Sequence, residues 1–317
     1  VTALAESPTR STTPIWGEEW MDVSAAADVN PGMKRLTVLQ PTTDDHGTTA
    51  APMPSGAALT LVFPCYNEAE RLPRTLAIYL AELSRQPGEV EVLVVDDGST
   101  DQTFAVADAI AARDDRVRVI RSQRNHGKGF GVRTGVLEAQ GELIVFTDAD
   151  GSYGPHDVAR VAAALTDAAV AIGSRPAGWA TGPLARRLAS RLFNHAIRAL
   201  LGLPFGDTQC GLKGFRRQAA LEVFGRARLD GFAFDAEVLF LARRLGLQVD
   251  EVPVRAEERD GSKVQLVVDA LCMLRDVLRV RRWAVSGGYD RAVCQISDTS
   301  MTTSALGTEF GRAAQAG

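Results

Sequence analysis

Glu142–Gly154 reads ELIVFTDADGSYG. Four apolar residues, Leu143-Ile144-Val145-Phe146, run into two carboxylates one residue apart, Asp148 and Asp150. A short apolar run bounded by Asp and Gly predicts a strand buried on both faces. Two like charges repel where such a strand surfaces, so their placement needs a reason. Two remain open on these residues alone. A hard divalent cation takes oxygen ligands and cancels paired charge. A plain turn also accounts for them, since Asp and Gly are the commonest turn residues.

Working outward, the same pattern recurs. Ala58–Phe63 (ALTLVF) is an apolar run ended by Pro64, and Glu68–Arg85 carries apolar residues at helical spacing. Val90–Val95 predicts a second strand, ended by Asp96-Asp97-Gly98, with Ser99 or Thr100 placed to cap the next helix. Val117–Arg121 is a third strand and Lys128–Gln140 a helix; Leu143–Thr147 is a fourth strand, Pro155–Thr166 a helix and Val170–Ile172 a short strand. Strands separated by helices imply βαβ crossovers and a mainly parallel sheet with helices on both faces, an α/β Rossmann-like single domain. Ligands of such sheets bind beyond the carboxyl ends of the strands. PCYNEAE, DDGSTD and DADGSYG all fall there. One acidic turn is unremarkable; three converging on one edge predict a site.

The totals bound the classes. With 317 residues, 45% hydrophobic and 23% charged, the chain has ordinary globular composition and length for a large core. A net charge of −4 gives no electrostatic footprint of a nucleic-acid binder, so no nucleic-acid partner is expected. Cys65, Cys210, Cys272 and Cys294 lack CxxC spacing, which reads as reduced thiols rather than a disulfide framework or zinc site. His46, His126, His156 and His195 are equally scattered. No apolar run reaches the ~18–20 residues of a spanning helix, and no basic region precedes an apolar core at the N-terminus. A cytoplasmic location is therefore expected, with peripheral attachment to the cytoplasmic membrane face as a variant of it.

Residues 1–56, rich in Ser, Thr, Pro, Ala and Asp, and residues 287–317 lack periodicity and are expected to be disordered tails. They flank a domain over 57–265 and an amphipathic helix over 266–286 that ends in Arg279, Arg281, Arg282 and Trp283. Such an end suits either a membrane interface, with Trp at the headgroups, or docking on the core.

Pro64-Cys65-Tyr66-Asn67-Glu68, Val94–Asp101 and Asp148-Ala149-Asp150 resemble the family 2 glycosyltransferases of GT-A fold, inverting and usually metal-dependent enzymes that use nucleotide sugars. More narrowly, Asp148–Gly151, Gly173-Ser174-Arg175, Asp207–Lys213, Phe234–Glu237 and Gly261-Ser262-Lys263 resemble dolichyl-phosphate β-glucosyltransferases and polyprenyl-phosphate sugar synthases, in matching order over about 58–265. The resemblance implies Mg²⁺ or Mn²⁺ as cofactor, a nucleotide-sugar donor such as UDP-glucose, and a polyprenyl or dolichyl phosphate acceptor.

It also implies residue roles. Asp150 is the first choice of metal ligand, and Asp148 either shares the ion or holds the ribose side. Extended backbone would put both on one side with Ala149 opposite. Asp97, with its neighbour Asp96, contacts the base or ribose above a floor of Pro64, Tyr66 and Glu68. Lys128 in RNHGKG reaches the diphosphate. Arg175 and one of Arg186 or Arg187 hold the acceptor phosphate. Asp207 belongs to the acceptor side of the catalytic centre, with Arg175 and Asp148. Lys263 closes over the diphosphate. Asp235 and Glu237 are secondary, because carboxylates are common at a helix start. A soluble hydroxyl acceptor and a non-catalytic sugar-nucleotide binder are the competing readings.

Overall fold

The computed structural model describes residues 58–85, 88–176, 194–256, 266–290 and 302–304. The core of the fold is an eight-stranded sheet in the order β7-β5-β6-β4-β1-β2-β3-β8. Strands β1 (Leu59–Cys65), β2 (Val90–Asp96), β3 (Val117–Arg121), β4 (Leu143–Phe146) and β5 (Val170–Ser174) alternate with helices α1 (Leu72–Leu83), α2 (Thr103–Ala111), α3 (Lys128–Glu138) and α4 (Pro155–Ala164). A helical segment over 194–201 (α5) follows, then β6 (Lys213–Arg216), α6 (Arg217–Phe224), α7 (Phe234–Arg244), β7 (Val249–Pro253), α8 (Leu266–Val285) and β8 (Thr302–Ser304). Strand β1 lies parallel between β2 and β4, and β5 pairs parallel with β7. Strands β6 and β8 run antiparallel to their neighbours.

The nearly unbroken apolar runs bury both faces of the central strands. Leu59, Leu61 and Phe63 pack with Leu72, Leu76 and Tyr79 of α1, Ala107 of α2 and Val158 and Val161 of α4. Val62, Val95 and Phe146 pack with Val132 and Val136 of α3 and with α6 and α7 on the opposite face. Gly135 lets α3 lie directly on β1 and β2, since a Cβ there would collide with Val62 and Val95.

Local boundaries differ from the expectations where side chains compete for the backbone. Helix α1 starts at Leu72 rather than Glu68. The Glu68 amide donates to Thr103 Oγ1 at 2.8 Å, and Asn67, at φ 57°, holds the turn after β2, so 66–71 are committed to turns. Strand β6 was not read from the sequence; it forms between β4 and β5 with Phe146 opposite Lys213.

The expected N-terminal tail, 1–56, lies outside the described residues. The expected C-terminal tail needs correction at both of its described parts. Tyr289, just past α8, is buried and its hydroxyl donates to Glu237 Oε1 at 2.6 Å. Thr302–Ser304 pair with β3. An aromatic ring with a buried partner and three residues on a strand edge are enough to hold segments that lack periodicity. Helix α8 docks through buried Val277 and Val280. Trp283 packs edge-on to Tyr289, under Arg228 and Arg279, and so engages the fold rather than standing ready for a headgroup layer. Leu278, Arg281, Arg282 and Val285 face outward.

Candidate active site

The carboxyl ends of β1 and β2 are tied into one unit. Asn67 Oδ1 accepts from the amides of Thr100 at 2.9 Å and Asp101 at 3.3 Å, while the Asn67 amide donates to Ser99 Oγ at 2.9 Å. The adjacent acids Asp96 and Asp97 divide the work. Asp96 is fully buried, accepts from the Ser99 amide at 3.0 Å and lies 3.4 Å from Arg121 Nε. Asp97 reaches the loop before α3: its Oδ2 accepts from the amides of His126 at 2.9 Å and Gly127 at 2.7 Å, and its Oδ1 lies 3.2 Å from His126 Nδ1. The His126 ring stacks on Phe130. Pro64 lies under Gly131 of α3 and Glu68 pairs with Arg71 at 2.6 Å, while Tyr66 is 38% exposed at the rim.

The entry to α3 aims one cation at the strand end that opened the sequence question. Gly127, at φ 115°, and Gly129 press against the carbonyls of Asp230 and Leu229, where a Cβ would not fit. Between them Lys128 Nζ lies 2.6 Å from Asp148 Oδ1. Burial disfavours the charged ammonium, but Asp148 and Asp235 outweigh it and hold Lys128 above its ordinary value. Ala149 is buried while Asp148 and Asp150 are half-buried at the edge; the strand stops at Phe146 and Ala149–Asp150 lie in a turn, not in the extended backbone expected. Asp150 Oδ1 also accepts from the Ser152 amide at 2.9 Å. The turn explanation thus holds for Asp150, and a lysine, Lys128, offsets the charge of Asp148.

No group of three His, Cys, Asp or Glu suited to a metal occurs among the described residues. Mg²⁺ and Mn²⁺ in phosphate sites use one or two carboxylates with substrate oxygens and water, so Asp148 and Asp150 fit as a donor set completed by a diphosphate.

Across the edge, Arg175 at the end of β5 forms a bidentate pair with Asp207, Nε to Oδ2 at 2.5 Å and Nη2 to Oδ1 at 2.9 Å. Asp207 also accepts from the Gln209 amide at 3.1 Å. Burial pushes the Asp207 carboxyl up, but the Arg175 pairing outweighs burial and leaves it below the ordinary carboxylate value. The loop that Asp207 opens returns to Asp148, because Gly211 is so close to that carboxylate that a Cβ would collide with it.

The structure thus joins Asp148, Lys128, Asp207 and Arg175 through one loop, with Asp150 beside them. Pro64, Tyr66, Glu68, Asp96 and Asp97 line the β1–β2 side. Arg186, Arg187 and Lys263 lie outside the described residues. Glu237 has a structural role: buried, it accepts from the amides of Arg228 and Leu229 as well as from Tyr289. Sequence reasoning missed the fully buried Lys213, whose ammonium pairs with Asp235 and donates to the Cys210 carbonyl at 2.5 Å. A lysine inside the short apolar stretch LKGF was the available signal. It also missed Tyr153, whose hydroxyl accepts from the Gly211 amide at 3.2 Å.

The family profile described as "Glycosyl transferase family 2" matches residues 60–224. A dolichyl-phosphate beta-glucosyltransferase of Saccharomyces cerevisiae is 34% identical over 254 residues, 73% of this chain and 76% of the yeast protein. One of Mus musculus is 36% identical over 250 residues, 73% and 77% of the two chains. Among solved structures, glucosyl-3-phosphoglycerate synthase of Mycobacterium tuberculosis superposes with a TM-score of 0.55 at 21% identity, covering 71% of this chain and 81% of that one. The same enzyme with Mn²⁺, UDP-glucose and phosphoglyceric acid gives 0.54 at 21% identity, over 71% and 80% of the two chains.

Proposed function

The chain belongs to glycosyl transferase family 2 and has the GT-A fold, and from that premise we propose that it moves glucose from UDP-glucose onto the phosphate of a polyprenyl or dolichyl phosphate, inverting C1. The observation that carries this reading is the junction at one sheet edge of a carboxylate–lysine site with an arginine fork, through the loop from Asp207 to Gly211. The relatives named for dolichyl-phosphate glucosyl transfer support the acceptor class.

In this mechanism Asp148 and Asp150 would hold Mg²⁺ or Mn²⁺, which when bound supplies charge neutralisation for the departing diphosphate. Lys128 adds a fixed positive charge beside the same phosphates. Asp97 and the Pro64–Glu68 turn seat the nucleoside. A phosphate monoester acceptor is anionic near neutral pH, so it needs no general base. Asp207, already engaged by Arg175, accordingly orients that guanidinium instead of removing a proton. A planar guanidinium held by a carboxylate presents a fixed geometry to a phosphate. Arg186 or Arg187 adds to that phosphate site and Lys263 closes over the diphosphate, both by family resemblance.

No helix among the described residues is long and apolar enough to cross a membrane. We place the protein at the cytoplasmic face as a peripheral protein, docking through the outward Leu278, Arg281 and Arg282 of α8. That observation also leaves room for a second reading, a soluble acceptor.

The test is incubation of the full chain and Mn²⁺ with UDP-glucose or GDP-mannose, with and without dolichyl phosphate, and mass analysis of products. A glucosylated lipid phosphate is expected. UDP-glucose turnover that is the same with and without dolichyl phosphate and yields no glucosylated lipid overturns the lipid assignment, and turnover of GDP-mannose alone overturns the donor.

A further inference from the structure

The Cys210–Gly211 peptide is gripped at both of its poles. Its carbonyl accepts from Lys213 Nζ at 2.5 Å, and its N–H donates to Tyr153 Oη at 3.2 Å. Each grip has its own anchor. Lys213, on the first residue of β6, is fully buried and paired with the buried Asp235 at the start of α7. Tyr153 is buried, its carbonyl accepts from Tyr79 Oη at 2.9 Å, and its hydroxyl lies 3.3 Å from Cys210 Sγ. Two side chains thus hold one peptide unit, and each is backed by a residue distant in sequence, Lys213 by Asp235 and Tyr153 by Tyr79.

The peptide they fix is the one that touches the candidate metal site. Gly211 lies against the Asp148 carboxylate, nearest Oδ2, while Lys128 engages Oδ1. A carboxylate ligand needs a set direction before it binds an ion, and groups behind the ligands commonly supply it. A lysine buried merely for stability would be an odd choice, since an apolar residue of similar volume does as well or better. A lysine that must hold a carbonyl has no apolar substitute.

We propose that Lys213, Asp235 and Tyr153 are positioning residues that clamp the Cys210–Gly211 peptide against Asp148 and thereby set that carboxylate for the divalent ion and diphosphate. The proposal rests on the donor-site reading above. It assigns Asp235 to holding a lysine and gives it no proton to move.

The clamp is tested by binding, without turnover. Free Mn²⁺ is counted by electron paramagnetic resonance during titration of the protein in the presence of UDP. The variants are Tyr153→Phe, the double variant Lys213→Met with Asp235→Asn, and Leu76→Ala in the α1 core as a destabilised control. Tyr153→Phe and the double variant are expected to bind Mn²⁺–UDP on the order of tenfold more weakly, with Leu76→Ala unchanged. Parent-like binding by Tyr153→Phe overturns the clamp, and this variant decides alone where the double variant does not fold. An equal loss in Leu76→Ala also overturns it, by making the effect one of general stability. A parent protein that fails to bind Mn²⁺–UDP overturns the donor-site reading and the clamp together, which separates the two failures.

Discussion

Two lysine–aspartate pairs stand within the same site and do opposite things. Lys128 and Asp148 are 23% and 27% exposed at the side chain, on the open edge of the sheet. Lys213 and Asp235 are 0% and 8% exposed, sealed beneath it. A pair that solvent reaches can exchange partners with an entering ligand at less cost than a sealed one, because water can take up the charge that is released. A sealed pair has no such exchange, and its charges serve only the groups packed around them. Chemistry alone does not distinguish the pairs; the difference is the route to solvent, and under the proposed function it divides ligand handling from scaffolding.

The largest effect expected is on the open side. Asp150→Ala should lower glucosyl transfer by at least about 100-fold, the scale of losing one group that stabilises developing charge, with the circular dichroism spectrum of the parent. Full turnover in excess EDTA would remove the metal role and with it the reason for calling this side functional.

Next comes the sealed pair. Lys213→Ala leaves Asp235 buried without its ion-pair partner, which costs about 3–5 kcal/mol, whereas Lys128→Ala leaves Asp148 half-exposed at the sheet edge, where water can reach it, and costs less. Urea midpoints of the two variants should separate accordingly. Equal midpoints would erase the contrast between open and sealed.

A smaller loss tests the corrected C-terminal boundary. Tyr289→Phe removes one hydrogen bond to the buried Glu237 and should cost about 1–3 kcal/mol, read from the same urea curves. A variant as stable as the parent would return residues beyond α8 to the status of a dispensable tail.

The smallest effect concerns pH. Paired with Arg175, Asp207 has a folded-state value below the ordinary carboxylate value of about 3.9. Its contribution to stability is therefore fully present above that value and is lost as pH falls through the lower folded one. Asp207→Asn should flatten the acid limb of the stability curve and leave its shape near neutrality unchanged. An acid limb identical to the parent's would show that the fork is not formed in solution.

Much of this architecture is legible before folding. Strands β1 to β4 are read from apolar runs that need no partner to identify them, and the acids at their ends from position alone. Strand β6 is not, because Lys213-Gly214-Phe215-Arg216 carries two charges in four residues and becomes a strand only between β4 and β5. The same limit hid the clamp. Lys213 and Asp235 are 22 residues apart and Tyr153 is 58 residues from Gly211, so their meeting belongs to the tertiary fold. Asp96 and Asp97 show a third case: type and position were legible, but not that one acid would turn inward and the other tie down the loop before α3.

Strand β8 has a consequence for how copies of this protein meet one another. A parallel sheet that ended at β3 would offer a row of unmatched amides and carbonyls, the template on which chains add to each other and aggregate. Thr302–Ser304, three short polar residues running antiparallel, occupy that row. The opposite margin, β7, is guarded differently, by Asp250, Glu251 and a terminal Pro253 that discourage a neighbouring strand. The sheet therefore has a charged border and a grafted one. The grafted border is made of residues far along the chain from the strand they shield, so solubility is exposed to damage there while the catalytic apparatus stays whole.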